Sequence, residues 1–238
     1  MGNAGIKQHY ETASKTGVLQ ISNQKLKEIP AEAFNLCESL RTLDISKNRI
    51  KVLPDEINKF KIVKHLNIEG NRLESLPSSI STLEKLEFFN ASLNMLRSLP
   101  EKFGELSHLR QVYLSRNKLR EFPKQLLGIQ TLEVIELSCN KIVSVPEGMS
   151  EMYATELILC QNEISVLGQD LHKAPRLKIL RLDENCLPIE AFYPSLLRDS
   201  KIHMLTADGN LFEEKKLASV EGYNEYIERY TAMKKKMF

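Results

Sequence analysis

The chain has 238 residues, 42% hydrophobic and 27% charged, which is enough apolar material to enclose a core in one large domain or two ordinary ones. Thirty-three Lys and Arg against 31 Asp and Glu leave a net charge of +2, which argues against the basic footprint of a nucleic-acid-binding protein. No stretch approaches the roughly 18 to 20 apolar residues of a membrane-spanning helix, and no secretory leader opens the chain, so a cytoplasmic, reducing setting is expected.

Met1-Gly2-Asn3-Ala4-Gly5 opens like an N-myristoylation signal, with Gly2 as the acceptor and Ile6 where the motif usually has Ser or Thr. A single acyl chain holds a membrane marginally, and Lys7 with Lys234, Lys235 and Lys236 are the candidates for a second, electrostatic signal. In residues 4–16, Ile6, Tyr10 and Ala13 recur at helical spacing before Gly17, which predicts an N-terminal capping helix.

From residue 18 onward one frame, LxxLxLxxNxLxxLPxxLxxLxx, recurs almost without interruption. Asn48, Asn71, Asn94, Asn117, Asn140, Asn162, Asn185 and Asn210 hold one position in it, at spacings of 23, 23, 23, 23, 22, 23 and 25. A degenerate first turn, with Gln24 at the Asn position, brings the total to nine. The xLxLx segment alternates with period two and predicts a short strand, so successive turns stack into a parallel sheet about 4.8 Å apart. Pro54, Pro77, Pro100, Pro123 and Pro146 lack a backbone donor and discourage a long helix on the return path. The expected fold class is α/β: a curved leucine-rich-repeat solenoid with the sheet on its concave face and turns and short helices on its convex face. The asparagines are expected to be structural, satisfying backbone groups at each bend. Phe89 and Ala91 in place of core Leu, a turn near Ala154 that is one residue short, and Gly168 where Pro is expected are read as tolerated drift. Leu217, Val220, Tyr223, Ile227 and Tyr230 then mark an amphipathic C-terminal helix. The expected organisation is a cap over 1–17, a solenoid over 18–211, and a capping helix with a basic tail over 212–238.

No chemistry stands out. The five histidines lack HExxH or HxH spacing, and no phosphate loop, dinucleotide loop or nucleophile elbow occurs, so neither a metal, a cofactor nor an enzyme is expected. Cys37, Cys139, Cys160 and Cys186 are scattered without a CxxC pair and are read as free thiols. What remains is a surface. Residues alternating with the core on each strand point outward: Thr42, His65, Phe88, Gln111, Val134, Glu156, Ile179 and Met204 in one column, and Asp44, Asn67, Asn90, Tyr113, Glu136, Ile158, Arg181 and Thr206 in the next. The candidate partner-binding residues are Asp44, His65, Asn67, Phe88, Asn90, Tyr113, Arg116, Glu136, Ile158, Arg181 and Asp183, with Phe88 and Tyr113 as aromatic anchors.

The LPxx[IL] repeat resembles the cytosolic leucine-rich-repeat proteins related to Ras suppressor and Scribble-type scaffolds. The MGN start, TGVLQI, RLKILRLDENCL, ADGNLFE and EGYNEYIERYTAMKKK are similar to the family of leucine-rich-repeat-containing protein fifty-seven. That resemblance implies a small intracellular repeat-only protein with a lipid on Gly2. The expected function is a non-catalytic, monomeric scaffold or adaptor in signalling, binding a protein such as a small GTPase or a phosphatase. The alternative is a regulatory subunit of a phosphatase or another signalling enzyme.

Overall fold

The computed structural model describes residues 3–236, and of residues 3–7 and 214 the backbone alone. The chain divides into two compact units, Met1–Lys118 and Leu119–Phe238.

Unit 1 opens with α1 (Asn3–Thr16), which buries Ala13 and half-buries Tyr10. The helix stops at Gly17, whose φ of 72° lies in the left-handed region and whose N–H donates to the Ala13 carbonyl at 2.8 Å. A Cβ there would stand 2.9 Å from the Ser39 carbonyl oxygen, so both conformation and space require glycine. Five parallel strands follow: β1 (Val18–Gln20), β2 (Thr42–Asp44), β3 (His65–Asn67), β4 (Phe88–Asn90) and β5 (Gln111–Tyr113), with α2 (Ala31–Phe34) between the first two. Their register matches like with like, Thr42 to His65 to Phe88 to Gln111. The middle residue of each strand, Leu19, Leu43, Leu66, Phe89 or Val112, is fully buried, as is the apolar residue two positions later. Period-two alternation therefore becomes a continuous interior, each fully buried apolar side chain contributing about 1.5–3 kcal/mol.

The return paths are short 3-10 helices at Asp55–Lys59, Ser78–Thr82 and Glu101–Glu105. Each follows a proline in extended conformation, Pro54, Pro77 or Pro100, whose missing donor leaves nothing unpaired at a helix start. Phe89 packs its ring against Phe103, 5.4 Å between centroids, in the repeat where Ala91 is the small neighbour. Large and small exchange places and the interior stays filled, so this pair is a compensated substitution.

Unit 2 carries β6 (Val134–Glu136), β7 (Glu156–Ile158), β8 (Ile179–Arg181) and β9 (Met204–Thr206), again parallel and in register. The 3-10 segments between its strands and before α3 are shorter, three residues each at Lys124–Leu126, Met149–Glu151, Leu171–Lys173 and Ile189–Ala191. The turn that is one residue short runs through Met149–Glu151, where Met149, Met152 and Ala154 are buried. Gly168 is not drift. A Cβ on it would stand 2.2 Å from the Pro146 carbonyl oxygen, and its own carbonyl accepts a hydrogen bond from the buried Tyr193 hydroxyl at 2.8 Å. Only a residue without a side chain admits that approach.

After α3 (Pro194–Arg198) and a 3-10 segment at Glu214–Ser219, α4 (Tyr223–Lys234) closes unit 2 over β9. Tyr226 is buried, and its hydroxyl accepts from the Leu205 N–H at 3.1 Å, satisfying an edge-strand donor. The Arg229 guanidinium reaches the carbonyls of Ile202 at 2.9 Å and Arg198 at 3.0 Å, and that of Leu197. Gly222, with φ of 90°, starts the helix where a Cβ would meet the Pro194 oxygen at 2.7 Å. Both units are thus stretches of α/β leucine-rich-repeat solenoid, unit 1 opening with α1 and unit 2 closing with α4.

Candidate functional site

The asparagines anchor the turns. The Asn71 amide donates to the carbonyls of Ile45 at 3.0 Å, in the preceding turn, and Ile68 at 3.0 Å, in its own, while its oxygen accepts the Ile50 N–H at 3.0 Å. Asn94 and Asn117 repeat this in unit 1, and Asn162 and Asn185 in unit 2. Asn48 serves the degenerate first turn, accepting from Gln24 and Leu26 N–H at 2.9 and 3.0 Å. Asn140 accepts from Leu119 N–H at 3.1 Å, and half-buried Asn210 from Leu187 N–H at 3.0 Å. The residue before most of these asparagines has left-handed backbone: Lys47, Leu93, Arg116, Cys139, Gln161 and Glu184, with Gly70 and Gly209 at the equivalent places. The bend is therefore sharp enough to turn the chain away from the strand within two residues.

Four of the residues placed on the strand face by alternation also hold the fold. The carboxylate of Asp44 accepts the Ser46 N–H at 2.9 Å, Asn67 the Glu69 N–H at 3.2 Å, Asn90 the Ser92 N–H at 3.0 Å, and Glu136 the Ser138 N–H at 2.7 Å. Each caps the turn two residues on, Asp44, Asn67 and Asn90 in the manner of an Asx turn and Glu136 through its longer side chain. One side-chain oxygen of each is engaged, and Asn90 also donates to Glu69 at 3.1 Å. Sequence reasoning assigned this column to recognition and missed its structural half; Asp or Asn two residues before a polar residue was the available signal.

On unit 1 the outward face gathers rings from both columns. His65 and Phe88 lie 6.0 Å apart between centroids, and Phe88 and Tyr113 5.4 Å, in tilted arrangements. His65 is exposed, the other two are half-buried, and the Tyr113 hydroxyl donates to Gln111 at 3.3 Å. Beside them Lys64 and Glu87 pair at 2.7 Å, an interaction that holds the Glu87 carboxyl below the usual carboxylate range. Arg116 stands exposed at the end of this face.

On unit 2 the face is polar with apolar islands at Ile158 and Ile179, both half-buried. Arg181 pairs with Glu156 at 3.4 Å. Asp183 is a local hub: it accepts from the Thr206 hydroxyl at 2.5 Å and the Asp208 N–H at 3.0 Å, and Cys160 lies 3.4 Å away. Burial pushes the Cys160 thiol up to about 11, and the Asp183 carboxylate reinforces the shift. That thiol is protonated at neutral pH and is a poor nucleophile. Gly2 lies outside the described residues. Among the described residues no group of three His, Cys, Asp or Glu side chains is arranged to hold a metal ion, and no helix is long and apolar enough to cross a membrane.

Parallel strands, an asparagine at the bend of all but the first turn and short 3-10 returns define the leucine-rich-repeat fold. Residues 15–73 match the family model described as leucine rich repeat. Among solved structures, the chain is similar to a leucine-rich-repeat protein of Leptospira interrogans, at 23% identity and a TM-score of 0.73. The alignment covers 89% of this chain and 59% of that one, so the chain spans well under two thirds of its length. The leucine-rich repeat domain of APL1B matches at 20% identity and a TM-score of 0.72, over 93% of this chain and 66% of that one. A plant peptide hormone receptor, RGFR1, solved in complex with RGF2, matches at 26% identity and a TM-score of 0.65, over 81% of this chain and 32% of that one.

Proposed function

We propose that this chain is a non-catalytic protein-binding scaffold of intracellular signalling, and that the strand face of unit 1 around His65, Phe88 and Tyr113 receives the partner. The observation that carries this reading is the run of three rings across three adjacent strands, His65 and Phe88 from one outward column and Tyr113 from the next, beside Asn67 and Asn90, which cap turns. Aromatic side chains supply large, stiff contact area at low entropic cost and anchor most protein interfaces. The plant peptide hormone receptor RGFR1, which shares the fold, was solved in complex with RGF2. A small GTPase or a phosphatase is the partner class suggested by the resemblance to Ras suppressor and Scribble-type scaffolds. On unit 2, Ile158, Arg181 and Asp183 extend the list of candidates.

The test is the double substitution Phe88→Ala with Tyr113→Ala. Neither ring is fully buried, so the melting temperature stays within a few degrees of wild type while affinity-purified partners are lost or reduced at least tenfold. An unchanged set of partners eliminates this patch. The similarity to the family of leucine-rich-repeat-containing protein fifty-seven adds an acyl chain on Gly2 to the proposal, and the intact mass of protein from eukaryotic cells, with or without the myristoyl increment, decides it.

A further inference from the structure

The net charge of the whole chain conceals a local concentration. The stretches that follow the strands of unit 1, residues 23–27, 47–51, 70–74, 93–97 and 116–118, hold nine basic side chains and a single acidic one, Glu74. In unit 2 the equivalent stretches, beginning at 119, 139, 161, 184 and 209, hold Arg120 and Lys141 against Glu163, Glu184 and Glu213. The stacking bonds bring the cations of unit 1 into columns. Arg49 N–H donates to Leu26, Arg72 to Ile50, Met95 to Leu73 and Lys118 to Leu96, all at 2.7 to 2.9 Å, so Lys25, Arg49, Arg72 and Lys118 share one file that Met95 interrupts. A second file, two residues on, carries Lys27, Lys51 and Arg97. Lys47 and Arg116 stand on the other side of the first. All nine are exposed, and among the described residues none makes an ion pair or side-chain hydrogen bond.

Like charges on neighbouring turns about 4.8 Å apart repel one another, and an anionic counter-surface relieves that repulsion. Two further observations say what kind of surface. Val52 and Leu93 stand among these cations 71% and 45% exposed, Leu93 at a left-handed backbone position where an apolar residue has no local reason to be. Next to them Ile29, Ala31, Phe34, Val52 and Pro54 line an open depression of about 620 Å³ together with Lys27 and Lys51, which Glu28 and Glu56 also line. Cations interleaved with exposed apolar side chains suit the boundary between lipid headgroups and acyl chains. The three files carry no aromatic residue on which nucleic-acid bases would stack. We propose that this edge of unit 1 is a membrane-contact surface that binds anionic phospholipid headgroups, independently of any acyl chain on Gly2 and of a partner on the strand face.

The experiment uses the full, unacylated chain and sedimentation with large vesicles of phosphatidylcholine alone or with 30% phosphatidylserine. Each cation near an anionic surface contributes about fivefold to partitioning. Binding is expected only to the phosphatidylserine vesicles, to weaken as salt is raised, and to fall about a hundredfold in the combined variant Arg49→Gln, Arg72→Gln, Lys118→Gln. The exposed control Lys141→Gln, Lys173→Gln, Lys178→Gln, with the same change in net charge, is expected to bind within a fewfold of wild type. Three results overturn the proposal: equal binding to both vesicle types, equal loss in the two triple variants, or tighter binding of polyglutamate or duplex RNA than of vesicles at matched charge. Both variants alter only solvated side chains, and an unchanged thermal transition excludes unfolding as the cause of any loss.

Discussion

Removing one ladder asparagine from the middle of unit 1 is the sharpest test of how the turns are joined. In Asn94→Ala the Leu73 N–H loses the oxygen it donates to at 3.0 Å, and the carbonyls of Ile68, Ala91 and Ser92 lose amide donors at 3.0, 3.1 and 3.2 Å. The three carbonyls are not orphaned, because Ile68 still accepts from Asn71 and Ala91 from Asn117, each at 3.0 Å, and Ser92 from the Gly70 N–H at 2.9 Å. Only the N–H is left buried and unpaired, at about 1–3 kcal/mol, and the amide's lost donations, two N–H groups shared among three carbonyls, add about 0.5–1 kcal/mol per N–H. The expected destabilisation is therefore about 3 kcal/mol, a large share of the roughly 5–15 kcal/mol that holds a typical domain together. Urea unfolding followed by circular dichroism measures it as a shift in midpoint at constant slope. Asn210→Ala is the comparison: that residue is half-exposed and water replaces part of what is lost, so about 1 kcal/mol is expected. Asn94→Asp keeps an acceptor for Leu73 but turns a carboxylate oxygen toward two carbonyls. Its carboxyl is held above the unfolded value of about 3.9, so the variant gains stability as pH falls from 7 toward 4, where protonation restores a donor. A loss below about 1 kcal/mol in Asn94→Ala, or equal losses at Asn94 and Asn210, refutes the claim that these amides bear the turns.

Gly168→Ala forces a methyl against the Pro146 carbonyl and is expected to cost about 2–4 kcal/mol, read as a fall in melting temperature. Gly128→Ala, where nothing lies within 4 Å and only the φ of 82° is unfavourable, is expected to cost about 1–2 kcal/mol. Equal melting temperatures for the two would remove close approach as the reason for Gly168. Burial pushes the Tyr193 hydroxyl up to about 12. The folded chain holds this proton while the unfolded chain releases it near 10, so the associated stability is complete below pH 10 and is lost between 10 and 12. Ultraviolet difference titration of wild type against Tyr193→Phe should show the missing tyrosinate signal near pH 12; a midpoint near 10 would place the hydroxyl in water.

Strand positions and the inward Leu, Ile and Val residues were legible because the side-chain period of two is set by the backbone alone and repeats about every 23 residues. The asparagine ladder was legible for the same reason. The capping role of Asp44, Asn67, Asn90 and Glu136 was not, since alternation says which way a side chain leaves the strand and nothing about where its oxygen comes to rest. Gly168 looked like drift because what excludes a side chain there, Pro146, lies 22 residues earlier and Tyr193, which bonds its carbonyl, 25 later. The ring cluster was half legible: the register predicts that Phe88 and Tyr113 meet diagonally, while the inclusion of His65 depends on rotamers. The basic edge escaped notice because a summed charge averages over faces, and stacking sorts charge by position within the turn.

Each interior asparagine of a unit gives its donors to its own turn and the one before, and takes its proton from the one before. The dependence runs in one direction and is the same at every step. A chain built this way can be lengthened or shortened by a whole turn without leaving any amide without its counterpart, whereas losing two or three residues from a bend strands donors on both sides of the cut. Evolution by copying and excising entire turns is the route that this bonding leaves open.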